Sequence, residues 1–178
     1  MGIGDTIAVD IIHDVLMDVV AASIDDGHLW AYINQGGSTE LSNVVFEEMF
    51  ISKQVPGIYR VSEIDINHDG QVDFLLPSIE SQEIILLVAD STAQPYGYRK
   101  QIIASDILLP TDAQAGDFNR DGLVDVVSVS FELNRVYLHL QNLQGTFDTQ
   151  IIADSILRPR KILVENYNNE WEILSLKN

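Results

Sequence analysis

Apolar and polar residues alternate along this chain in short runs. "LWAYIN" (29–34) and "VYLHLQ" (136–141) carry an apolar side chain at nearly every second position, and "IILLVA" (84–89) is a continuous apolar run of strand length. Val, Ile and aromatic residues at period two, broken by turn residues about every 8–12 positions, predict strands rather than helices. The breaks are "IDDG" (24–27), "ELNR" (132–135), "NQGGST", "STAQPYG" and "NLQGT", and further strands follow as "YRKQIIA" and "FDTQIIA". Trp30 and Tyr32 fall on one face of a strand, where the expectation is packing between neighbouring sheets. His139 alternates with apolar neighbours, which predicts a partly buried structural residue.

The strand pattern repeats. "DINHDGQVD" (65–73) returns as "DFNRDGLVD" (117–125), a step of 117 − 65 = 52 residues. A step of 55 back from Asp65 reaches "DIIHDVLMD" (10–18), and a step of 49 forward from Asp117 reaches "NYNNEWEIL" (166–174). The flanks agree, since "QIIASDILLP" (101–110) recurs as "QIIADSILRP" (150–159). Three full units of about 50 residues and the start of a fourth result, each with four strands, the signature of a propeller blade. The predicted fold is therefore all-β, about three and a half four-stranded antiparallel β-propeller blades in a single array. Their limits are 1–56, 57–108, 109–157 and a partial 158–178. A propeller closes with about four to eight blades, so the array is expected to be part of a larger propeller, with self-association as the second route to closure.

The acidic loops suggest a metal. Calcium takes about six to eight oxygens, and acceptors at alternate positions of a tight loop converge on one centre. In the second unit Asp65, Asn67 and Asp69 would supply side-chain oxygens, Gln71 its carbonyl, and Asp73 the closing carboxylate. Gly70 permits the turn. In the third unit the set is Asp117, Asn119, Asp121, Leu123 (carbonyl) and Asp125. Asp-Gly alone is merely a good turn, but identical nine-residue spacing in register with an independent repeat favours two Ca²⁺ sites. An EF-hand is excluded because its twelfth position would be Leu76 or Ser128 instead of Glu, and its flanks would be helices. Dockerin-like loops would be followed by helices at shorter spacing. The outer loops are weaker. At Asp10, Ile12 offers no side-chain oxygen and Val15 is expected to resist the left-handed turn. At Asn166 the loop is shortened by two residues, keeping Asn166, Asn168, Glu170 and Glu172 without a glycine.

Composition narrows the partners. The 178 residues are 46% apolar, enough for a folded core, and contain no cysteine, so thiol chemistry and cysteine–zinc sites are out. A formal charge of −17 with only 10 Lys and Arg argues against nucleic acid and anionic membranes. No apolar stretch is long enough for membrane insertion. Two Ca²⁺ would leave −17 + 4 = −13. No signal peptide is visible.

"AGDFNRDGLVDVVSVS" and "SEIDINHDGQVDFLLPS" resemble the FG-GAP/VCBS repeat of integrin α-subunit propellers, fungal propeller lectins and bacterial secreted proteins. The resemblance implies a four-stranded blade with Ca²⁺ in the loop between its first two strands. It also implies adhesion, recognition of a protein or glycan, or scaffolding, in an extracellular or cell-surface setting. No hydrolase, zincin or nucleotide-loop motif appears, and adjacent acids such as Glu47–Glu48 and Asp25–Asp26 read as solvated charge, not a glycosidase pair. The expectation is a non-enzymatic module with structural calcium. The alternative is a non-catalytic accessory propeller segment of a secreted carbohydrate-active enzyme such as a polysaccharide lyase.

Overall fold

The computed structural model describes residues 3–37, 44–53, 55–90, 92, 97–167 and 170–176. Fourteen strands form among them, and no helix, hence none long and apolar enough to cross a membrane. β1 (Ile3–Val9), β2 (Asp18–Ser23), β3 (Leu29–Asn34) and β4 (Phe46–Ser52) make the first sheet. β5 (Ser62–Ile64), β6 (Asp73–Ser78), β7 (Glu83–Asp90) and β8 (Gly97–Ala104) make the second, and β9 (Pro110–Gly116), β10 (Asp125–Ser130), β11 (Arg135–Gln141) and β12 (Phe147–Asp154) the third. Each is an antiparallel meander in chain order, as hairpin-length connections require. β13 (Lys161–Tyr167) and β14 (Glu170–Leu176) form a two-stranded sheet. The expected all-β chain with four strands per unit is thus found in three four-stranded antiparallel sheets.

Apolar patterning decides how the sheets stack. In β3 burial alternates strictly: Leu29, Ala31 and Ile33 are covered, whereas Trp30 and Tyr32 are only half-buried. The first sheet is therefore covered on one face. β6 and β10 are buried at every position, so the second and third sheets are covered on both faces. Val20, Ala22, Leu29 and Ala31 pack against Phe74, Leu76, Ile85 and Leu87 of the second sheet. The opposite face of that sheet, with Leu75, Ile84, Leu86 and Val88, packs against Ala113, Val126 and Tyr137 of the third. Val127, Val129 and Val136 then meet Ile162 of β13. Fully burying each such side chain contributes about 1.5–3 kcal/mol, so the stability of the stack grows with every interface added. Trp30 and Tyr32 do not pack between sheets here; they lie on the uncovered face, a correction to the reading from alternation alone. A period of two says which residues share a face but not which face has a neighbour.

Serines close the first two interfaces. Ser78 and Ser130, at the ends of β6 and β10, are fully buried, and their hydroxyls donate to the carbonyls of Pro56 and Leu108 in the preceding linkers. Gly27 carries φ +68°, and a Cβ there would come within 2.8 Å of Pro56 Cα, so only glycine lets the β2–β3 turn meet the next linker.

His139 is wholly buried. Its Nε2 lies 2.8 Å from Ser128 Oγ and its Nδ1 2.8 Å from Thr149 Oγ1. Ser128 is itself inaccessible, so the pair braces the sheet and presents no nucleophile. Burial pushes the imidazole down from 6.5 to about 4. The unfolded chain therefore takes the proton first. The stability contributed by neutral His139 is present above pH 6.5 and is lost as pH falls through the window down to about 4. Urea titrations across this window are expected to show a His139-dependent slope of up to about 1.4 kcal/mol per pH unit. His139→Gln should flatten that slope, and a variant curve running parallel to the wild-type curve would refute the assignment.

Candidate metal centre

The acidic loops fall where the first strand of each four-stranded sheet turns into the second, and the three are built alike. In the second sheet, Asp65 Oδ1 accepts the amide of Asp69 at 3.0 Å and Oδ2 that of Gly70 at 3.0 Å. Asn67 Oδ1 accepts the Asp69 amide at 3.1 Å, and Asp69 Oδ1 accepts that of Gln71 at 2.8 Å. In the third sheet the same bonds recur. Asp117 accepts from Asp121 (3.1 Å) and Gly122 (3.0 Å), Asn119 from Asp121 (3.0 Å), and Asp121 from Leu123 (2.8 Å). Short polar side chains here stand in for a helix or ladder as partners of the turning main chain.

The ninth position has a different task. Asp73 and Asp125 are fully buried. Asp73 Oδ2 accepts the Ile66 amide at 3.0 Å and Oδ1 the Ala89 amide at 2.7 Å; Asp125 binds Phe118 (3.0 Å) and Gln141 (2.9 Å) likewise. Each carboxylate ties the loop to the third strand of its sheet. Burial raises the Asp73 carboxyl, the amides of Ala89 and Ile66 pull it back, and the charges of Asp69 and Asp65 push it further up. Burial also raises Asp125, again with a neighbouring acid, Asp121, adding to the rise. Among the described residues none of these acids has a cationic partner within ion-pair distance.

The first loop departs from expectation. Asp10 accepts the amides of Asp14 (3.1 Å) and Val15 (2.9 Å), and fully buried Asp18 binds Ile11 (2.9 Å) and Asn34 (2.8 Å). This is the architecture of the other two loops. Val15 adopts φ 74°, beside 79° at Gly70 and 86° at Gly122, although a Cβ disfavours that region. The expected resistance of Val15 is overcome because Asp10 accepts its amide and Asp14 accepts that of Leu16 just beyond it, and its side chain, 91% exposed, meets no clash. The fourth loop does not form as a long loop. β13 and β14 pair through Asn166↔Trp171 to Tyr167↔Glu170, while Asn168 and the side chains of 166–172 lie outside the described residues.

The donors of the second and third loops (carboxylates, an amide oxygen and a main-chain carbonyl) are of the kind a hard cation takes. They are arranged around the loop's own amides: among the described residues no three His, Asp or Glu side chains converge as a metal-binding group. A Cβ at Gly70 or Gly122 would meet nothing within 4 Å, so both loop tips are open. A cleft of about 510 Å³ lies between the first and second loops, lined by Val9, Met17 and Val72 together with Asp10, Glu63 and Asp65. The recurring serines at the ends of β2, β6 and β10 were missed in the sequence. Their signal was present, as Ser23, Ser78 and Ser130 each stand five residues after the ninth-position aspartate.

A scan of the chain against protein-family models finds no match, and a search among curated proteins finds none. The likeness to FG-GAP/VCBS repeats therefore rests on the loop motif and its spacing.

Two outcomes follow. Val15→Gly should stabilise the chain by about 1 kcal/mol by relieving the left-handed residue; a denaturant midpoint that stays put or falls would contradict this. In the presence of chelator, Asp18→Ala should cost about 2–4 kcal/mol, because a buried amide, that of Ile11, and a half-buried one, that of Asn34, each lose their acceptor. An unchanged melting curve would show that the ninth-position carboxylate is dispensable.

Proposed function

We propose that this chain is a run of calcium-binding β-propeller blades serving extracellular recognition of a protein or glycan, with calcium structural and no catalysis. The observation that carries the reading is the recurrence of one acidic loop at the same turn of each four-stranded sheet, with ligand-type side chains complete in the second and third. A cation there would sit among Asp65, Asn67, Asp69, the Gln71 carbonyl and Asp73, and among Asp117, Asn119, Asp121, the Leu123 carbonyl and Asp125. It would offset the burial and, after it, the neighbouring acid charge that raise Asp73 and Asp125. The open cleft between neighbouring loops is where a ligand would be read. Service as an accessory segment of a secreted carbohydrate-active enzyme is the same module in another setting.

One observation favours a second reading. The first loop reaches the same hydrogen-bonded form with Ile12 and Val15 in place of the amide and the glycine. On that reading the carboxylates serve the main chain alone and the loops need no ion.

Calorimetric titration of metal-stripped protein separates the two. Two Ca²⁺ per chain are expected, abolished by Asp69→Ala with Asp121→Ala. The melting temperature should rise by the equivalent of about 1.4 kcal/mol per site at ten times Kd. Absence of any binding heat, with a melting temperature indifferent to calcium, would leave the hydrogen-bonded reading standing.

A further inference from the structure

Three of the 10 Lys and Arg residues stand within four positions, in the linker "RPRK" (158–161) that leads from the third unit to the fourth. The earlier linkers read "GIYR" (57–60) and "LPTD" (109–112) at the same places. All three turn alike: Gly57, Leu109 and Arg158 carry φ of 65°, 49° and 49°. The amides of Ile107 and Ile156 each reach back to the preceding hairpin, to the carbonyls of Gln82 and Asn134, at 3.0 Å. The path of the linker is common to the units, and only its chemistry differs.

That difference is concentrated around one ring. Phe131 follows β10, and its amide donates to the Leu109 carbonyl at 3.1 Å, as the amide of Ile79 donates to Gly57 at 2.9 Å. The guanidinium carbons of Arg160 and Arg158 lie 4.8 and 5.5 Å from the centre of the Phe131 ring. At the two earlier junctions the matching residues are Ile24, Gly57 and Tyr59, then Ile79, Leu109 and Thr111. The main chain that carries the arginines is pinned. The Arg158 amide donates to Asn134 Oδ1 at 2.8 Å, the carbonyl of buried Pro159 accepts the Thr111 hydroxyl at 3.1 Å, and the Ile162 amide reaches Asp112 Oδ2 at 2.8 Å. A single stacked arginine would brace the turn. A second one beside the same ring brings repulsion, which a bound anion offsets. Both arginines are exposed, and among the described residues neither has an ion-pair partner; Glu132, next to Phe131, pairs with neither. Stacking occupies the face of a guanidinium and leaves its N–H edge for a planar, two-oxygen acceptor.

We propose that Arg158 and Arg160, held around Phe131, form a binding site for the carboxylates of an acidic peptide segment, whose apolar side chains meet Leu109 and Leu157. These leucines are 42% and 66% exposed beside the arginines. A chain of charge −17 repels densely charged phosphate polymers, which leaves sparser carboxylates as the better match. The leucines favour peptide over acidic glycan, and neighbouring groups that could read sugar hydroxyls are spent, Asn134 Oδ1 on the Arg158 amide and the Thr111 hydroxyl on the Pro159 carbonyl. The site rests on the recognition part of the proposed function and not on calcium.

Fluorescence anisotropy with a labelled short peptide of alternating glutamate and leucine, at moderate salt and in chelator, tests it. Salt screens the long-range repulsion from the chain's net charge. Wild-type chain should bind. Arg158→Gln and Arg160→Gln should each weaken binding about tenfold, as loss of a charge-assisted hydrogen bond implies. Arg158→Lys with Arg160→Lys keeps the charge but loses the two-pronged edge, and should also bind several-fold more weakly. Asp69→Ala with Asp121→Ala should bind like wild type, so failure of the calcium reading leaves this result untouched. Circular dichroism verifies that every variant is folded. No binding by the wild-type chain overturns the proposal, as does equal binding by the arginine variants or equal binding of a peptide with glutamine for glutamate. Tighter binding of polygalacturonate than of the peptide would assign the arginines to an acidic glycan instead. Self-association of wild type that Arg158→Gln abolishes would assign them to acids of another copy.

Discussion

One buried carboxylate per unit organises the rest. Asp18, Asp73 and Asp125 have no exposure to water, and each spends both oxygens on main-chain amides, one in the acidic loop and one in the third strand. A charge taken out of water is costly unless hydrogen bonds replace its hydration. Two amides per carboxylate do this, and in doing so they lock the loop onto the sheet. The first-position acids, Asp10, Asp65 and Asp117, then only have to hold the loop tip. That division of labour explains why the first loop keeps its shape around Val15, and why the loop acids crowd together with no base within ion-pair distance among the described residues.

The same constraint makes the units stackable. With the loop tied down, both faces of each sheet are free to be apolar, and the second and third sheets are accordingly buried on both sides. Position along the stack, not local sequence, then decides exposure. Tyr137 is buried and its counterpart Trp30 is not, although both are aromatic and stand at matching places in their strands. The ion pair of Arg60 with Asp112, 3.4 Å across neighbouring units, adds register to a stack that apolar contacts alone leave non-directional. Asp112 illustrates the balance. Burial raises its carboxyl, while the Ile162 amide and the charges of Arg60 and Lys161 hold it down.

Much of this was legible along the chain. The nine-residue spacing, the steps of 55, 52 and 49 residues, and the period-two runs determined an all-β repeat with an acidic loop in each full unit. These signals are local: side chains alternate across a strand, and turns demand particular residues. The backbone geometry of the loops was legible for the same reason, since Asp, Asn and Gly act on amides only a few residues away. Tertiary structure alone decided the remainder. Whether Trp30 faces a neighbour, whether Asp73 is buried, and whether Arg60 reaches Asp112 depend on residues brought together from different units. Val15 was misread because the penalty for its conformation was weighed alone, while Asp10 accepts its amide and Asp18 ties the base of the same loop to Asn34 in β3.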